Sequence, residues 1–159
     1  MTTKSSSAAK AETLPAMIDI TDLQTADVAE LDIKHPITGE PLGWVWVLAG
    51  PGHPQTLANI ERLQRQALAE QRRRDQARIN GKKWKGDDKD PDEIRAENAA
   101  NVAARIIGFP TARINGEELV FSRDKVAEIF LNQKLSWIYA QILEFLTDDA
   151  AFFPGSAKS

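Results

Sequence analysis

Residues 35–54 read HPITGEPLGWVWVLAGPGHP, and the apolar run at the centre of this stretch decides the fold. Pro36 and Pro41 fix φ and Gly39 is free to take a positive φ, so HPITGEPLG is turn chemistry. Trp44 to Leu48 is aromatic and β-branched, the composition of a strand. Its period of two places Trp44, Trp46 and Leu48 on one face and Val45 and Val47 on the other. Before the turn, DVAELDIK (27–34) alternates in the same way, with Ala29, Leu31 and Ile33 on its apolar side. Two such strands around a turn make an antiparallel hairpin, ended by AGPGHP. A lone hairpin is marginal in water, so a helix or a neighbouring chain must cover the tryptophan face.

Helices follow the hairpin. PQTLANIERLQRQALAEQRRRDQARI (54–79) has a narrow apolar stripe of Leu57, Ile60, Leu63, Ala67 and Leu68 that fades into arginines. A helix that outruns its apolar face projects into solvent or meets a partner. NGKKWKGDDKD (80–90) reads as a charged surface loop. Asp90, Pro91 and Glu93 are the cap, first-turn proline and capping-box acid of a second helix. Ile94, Val102, Ile106 and Ile107 form its expected inward side, and Gly108 and Pro110 its end. Asn115-Gly116 is a two-residue hairpin signal. Ser122 caps a short helix with Val126, Ile129 and Phe130 inward. The last helix carries Leu135, Ile138, Tyr139, Ile142, Leu143 and Leu146 at helical spacing, with Trp137 and Phe145 beside that stripe.

The expected fold is therefore α+β, mainly α: an N-terminal β-hairpin followed by four helices, with a small second hairpin. Residues 1–16, polar and alanine-rich, read as a disordered tail, 17–150 as a single domain and 151–159 as a flexible C-terminal tail. With 42% hydrophobic and 27% charged residues and a net charge of -3, the composition is that of an ordinary soluble chain. No apolar run approaches the ~20 residues of a membrane-spanning helix.

Chemistry finds no foothold. Cysteine is absent, which excludes disulfides and thiolate metal sites. His35 and His53 each precede a proline in turn segments and read as exposed imidazoles, with no ligand spacing around them. The acid pairs Glu117-Glu118 and Asp148-Asp149 are consecutive and read as solvated charge. No catalytic, cofactor-binding or metal residue is assigned. Basic residues crowd the stretch from Arg62 to Lys85 around Trp84, which suits phosphates and a stacked base. The acidic run from Asp87 to Glu97 opposes that reading, so a solvated or protein-contacting helix is favoured over nucleic acid. Trp44 and Trp46 read as core or self-association residues. Phe152 and Phe153 are either docked on the last helix or presented to a partner.

Taken in order, four pieces resemble the tail assembly chaperones of long-tailed phages, prophages and gene-transfer particles. They are the segment from ITDLQTADVAELDIK through the TGEP hairpin to AGPGHP, the helix leading to NGKKWK with PDEIRAENAANVAARIIG, INGEELVFSRDKVAEIFL, and WIYAQILEFLTDDAAFF. The resemblance spans residues 18–153. It implies a non-enzymatic assembly factor without cofactor, acting in the cytoplasm of a bacterial host and absent from the mature particle. Such a factor self-associates, keeps the tape measure protein soluble and promotes polymerisation of the tail tube protein around it. The expected partner-binding residues are Trp84, Phe145, Phe152 and Phe153, together with the stripe of the first long helix. The alternatives are a structural tail component or a general protein–protein adaptor. Family members are also made in a longer form by a ribosomal slip, and Phe152-Phe153-Pro154 are residue types that a slip site can encode.

Overall fold

The computed structural model describes residues 17–82 and 89–153. The expected tail at 1–16, Trp84 with its neighbouring lysines, and residues 154–159 lie outside the described residues.

Strands β1 (Val28–Lys34) and β2 (Pro41–Ala49) form the expected antiparallel hairpin, with Ala29 opposite Leu48 and Leu31 opposite Trp46. The register places Ile33, Trp46 and Leu48 fully inside and leaves Val28 and Glu30 outside. The turn is closed by His35 N–H donating to the Glu40 carbonyl (2.8 Å) and by Gly39 at φ 75°. The His35 imidazole is half-buried there, its Nδ1 accepting from the amides of Ile37 (3.1 Å) and Thr38 (3.2 Å).

A third strand corrects the expected second helix. That helix ends at Ala103, and Ile106–Gly108 forms β3, antiparallel to β2 with Ile106 opposite Leu48. The far edge of β2 would otherwise hold unpaired backbone groups against the core, and β-branched isoleucines suit a strand better than a helix.

Four α-helices surround this sheet among the described residues: α1 (Pro54–Ile79), α2 (Pro91–Ala103), α3 (Arg123–Leu131) and α4 (Ser136–Thr147). Asp90 caps α2 as expected, its carboxylate accepting from the amides of Asp92 and Glu93. The inward side of α2 differs from expectation: Ala99 and Ala103 are buried while Ile94 is largely exposed. Alanines let this helix lie close against its neighbours. Ser122 Oγ caps α3 through the Lys125 amide (3.1 Å). Between α2 and α3, β4 (Ala112–Ile114) and β5 (Glu117–Leu119) meet at Asn115 (φ 51°) and Gly116 (φ 80°), the paired positive φ of a type I′ turn.

The core gathers the inner face of β1–β3 with Val126, Ile129 and Phe130 of α3 and Ile138 and Ile142 of α4. Each fully buried aliphatic or aromatic side chain contributes about 1.5–3 kcal/mol. Trp46 lies 4.7 Å from the Phe109 ring and 6.1 Å from Phe130, between centroids. Trp44 stands edge-on to Trp46 and donates its Nε1–H to the Pro110 carbonyl (2.8 Å). The tryptophan face is thus covered from within the chain. Gln141 on α4 fastens the other end of the sheet, its carboxamide bonding both the N–H (2.9 Å) and the carbonyl (2.8 Å) of Lys34.

Along α4 the buried positions are Ile138, Ile142 and Phe145, and Leu143 is exposed. Leu135, Tyr139 and Leu146 pack against the core as the stripe predicts, Leu143 alone of the stripe is exposed, and Phe145, expected beside the stripe, belongs to the core. After α4 a 3-10 turn at Asp149–Phe152 buries Ala151 and Phe152, where the sequence pattern places the start of a flexible tail.

Candidate functional site

The residues that fix α1 lie at its foot. Gly50 sits in a corner where an added Cβ would stand 2.3 Å from the Ala26 carbonyl oxygen, so only glycine fits. Thr56, buried, donates its hydroxyl to the Gly50 carbonyl (2.7 Å). His53 is the N-cap, with Nδ1 accepting from the Gln55 amide (3.0 Å). Gln55 Nε2 donates to the carbonyls of Ala104 (2.6 Å) and Ile106 (3.0 Å), tying the helix to the α2–β3 connection. His53 is therefore a half-buried capping group, where the sequence suggests an exposed imidazole.

Beyond this anchor α1 loses contact with the core. It is 26 residues long, and Thr56 is its one buried residue. Leu57, Ile60 and Leu68 are 52%, 43% and 58% exposed. At 100° per residue these three fall within about 80° of one another around the helix axis. Of the expected apolar stripe, Leu57, Ile60 and Leu68 are exposed, as is Ala67, while Leu63 is half-buried.

Polar contacts join α1 to α2 along their length. Arg62 Nη2 reaches Asn59 Oδ1 (2.7 Å) and Asn101 Oδ1 (3.0 Å), and Lys89 bridges to Glu70 (3.6 Å) and Glu97 (2.9 Å). Arg62 thus meets the end of α2 while Glu70 meets its start, so the two helices run antiparallel. The hydrogen bond to Glu97 and the charge of Glu70 raise the Lys89 ammonium above its ordinary pKa. Arg65 pairs with Glu61 and Arg78 with Asp75 (3.6 Å) along α1 itself.

At the foot of α1 the chain encloses a groove of about 600 Å³ between α1, α2 and α3. Its floor is alanine, with Arg62 and Arg123 beside it. The alanine-rich ENAANVAA run of α2 is the sequence signal for this close-approach surface, and an isoleucine-centred reading of the helix passes over it.

The expected partner-binding residues do not come together on one surface. Phe145 and Phe152 pack edge-to-face, with centroids 5.3 Å apart, and Phe152 is 1% exposed. Both serve the core in this structure, so neither offers a free surface to a partner. Phe153 is half-buried and borders a groove of about 480 Å³ along β1 with Val28 and Val45. Arg105 locks the C-terminal turn in place: its Nε and Nη2 donate to the Ala49 carbonyl (3.0 and 2.8 Å) and its guanidinium lies 5.7 Å from the Phe152 centroid. Burial lowers the Arg105 pKa, partly offset by the charge of Asp149.

Among the described residues no three His, Asp or Glu side chains are grouped so as to hold a metal, and no helix is long and apolar enough to cross a membrane. The chain matches no family model, no curated protein and no solved structure.

Proposed function

We propose that this protein is a non-enzymatic tail assembly chaperone that covers apolar helical faces of a tape measure protein and promotes polymerisation of the tail tube protein around it. The observation that carries this reading is the bare stripe of Leu57, Ile60 and Leu68 on a helix held rigidly at one end by polar anchors. A long helical client with unburied apolar faces aggregates unless those faces are covered. An exposed stripe with arginines beside it can lie along such a client in helix-to-groove fashion. The ordered sequence pieces that resemble these chaperones support the same reading. In it the protein self-associates, works in the cytoplasm of a bacterial host and does not remain in the finished particle.

Co-expression tests it. The intact chain raises the soluble yield of its tape measure protein and co-purifies with it. Substituting Leu57, Ile60 and Leu68 together by Asp abolishes both effects while leaving the chaperone folded by circular dichroism. An equally insoluble tape measure protein with and without the intact chain refutes the proposal. Presence of the chain in purified particles would favour a structural tail component instead.

A further inference from the structure

We propose that the alanine-floored groove at the foot of α1 receives the Met17–Leu23 segment of a second copy of this chain. The inference deepens the self-association in the chaperone reading, and its test on the purified chain is separate from the co-expression test of that reading. The groove is walled by Arg62 and Arg123 over Ala58, Ala100, Ala104 and Ala127, with Asp124 its one acid. Small side chains on a groove floor let an incoming backbone approach closely. Arg62 spends its hydrogen bonds on the neutral amide oxygens of Asn59 and Asn101 and not on a carboxylate.

The segment has the complementary chemistry. Its sequence MIDITDL exposes Met17 at 97%, Ile18 at 69%, Ile20 at 65% and Leu23 at 63%, a density of bare apolar side chains seen nowhere else among the described residues. It also carries two carboxylates, Asp19 and Asp22. It is shaped in advance of any contact: Asp19 Oδ1 accepts from Thr21 Oγ1 (2.5 Å) and N–H (2.9 Å), and Leu23 N–H donates to the Ile20 carbonyl (2.9 Å). The Thr21 hydroxyl and amide hold the Asp19 carboxyl below its ordinary pKa. A preformed turn loses less entropy on docking than a free strand.

The occupant is a second copy because both halves are open in one chain. The segment lies exposed while the groove of the same chain is empty of it. Its root is held on the C-terminal turn, through Ala26 N–H donating to the Phe152 carbonyl (2.7 Å). Reciprocal exchange of two segments into two grooves closes a two-fold dimer and leaves no unmatched site to propagate a fibre.

The test uses the full chain. The parent elutes at twice its 17.6 kDa mass in light-scattering chromatography, and each of two variants, Ala100→Arg at an exposed position of the groove floor and Ile20→Asp with Leu23→Asp in the segment, elutes at 17.6 kDa. A fluorescent MIDITDL peptide binds the segment variant, whose groove is intact, and binds about tenfold more weakly or not at all when Ala100→Arg is added. Arg123→Glu weakens the dimer and Asp22→Lys in the same chain restores it. A parent dimer untouched by Ala100→Arg places the contact elsewhere and overturns the proposal. So does a monomeric parent, whether its peptide site is closed intramolecularly or does not bind the peptide at all.

Discussion

Replacing Phe152 by alanine separates a core residue from a partner contact. Its ring is almost fully buried, edge-on to Phe145 at 5.3 Å and under the Arg105 guanidinium at 5.7 Å. Truncating a buried phenylalanine to alanine costs about 3–5 kcal/mol, which already includes lost transfer and the cavity left behind. The ring pair accounts for about 0.5–1.5 kcal/mol of that loss and the cation–π contact for about 0.5–1. Two features place the expected value at the lower end. The backbone bond from Ala26 to the Phe152 carbonyl survives the substitution. The site is also a short turn after the last helix, which can collapse into the space more easily than a strand can. The expectation is about 3 kcal/mol, or about 6–12 °C in Tm for a domain of this size. Urea and thermal unfolding followed by circular dichroism measure it, with Phe153→Ala, half-buried, as the control expected to lose under about 1.5 kcal/mol. If Phe152→Ala unfolds within about 0.5 kcal/mol of the parent, the ring is not docked and the packing argument fails.

Trp46→Ala is expected to cost about 3–5 kcal/mol, because the side chain is fully enclosed among Phe109, Phe130 and Trp44. Trp46→Phe costs clearly less, since the Trp46 Nε1–H is buried without a hydrogen-bond partner and removing it relieves about 1–3 kcal/mol; equal urea midpoints for the two variants would contradict this. Gly50→Ala drives a Cβ to 2.3 Å from a backbone oxygen that cannot move aside, so it destabilises by more than an exposed glycine replacement does. Gly52→Ala, where nothing stands within 4 Å, is the matched comparison, and indistinguishable thermal midpoints would refute the close approach.

What the sequence made legible was whatever local chemistry decides. The period-two runs at 28–34 and 44–48, the Asn115-Gly116 turn and the Asp90 and Ser122 caps all appear where the residue types place them. Each depends on neighbours a few positions away. The misread elements depend on distant ones. Ile106 and Ile107 continue a helical pattern by spacing, and only the open edge of β2, some 58 residues earlier, makes them a strand. Phe145 lies at i+7 from Ile138, at the margin of the expected stripe of α4, and packs edge-on against Phe152, a contact that helical spacing alone does not reveal. Arg105 carries no local signal of its role, which depends on the Ala49 carbonyl and the Phe152 ring. The groove at the foot of α1 was hidden for another reason: alanine runs carry no chemical signature, and their use as a floor depends on three helices meeting.

The exposed stripe of α1 follows a different logic from these core positions. Isolated helices are marginal in water, yet α1 has its own local supports: the His53 cap, the ion pairs Glu61–Arg65 and Asp75–Arg78, and the Gln71–Asp75 hydrogen bond. Side-chain pairs at this spacing contribute about 0.2–0.5 kcal/mol each and a cap about 1. Together with the anchors at Thr56 and Gln55, these polar groups hold the helix without calling on Leu57, Ile60 or Leu68. Replacing those three side chains should accordingly leave the stability of the monomer almost unchanged, within about 0.5 kcal/mol apiece. Single exposed leucines are ordinary on any protein surface. Three on one narrow sector of a helix that stands without them are what the proposed contact with another polypeptide rests on.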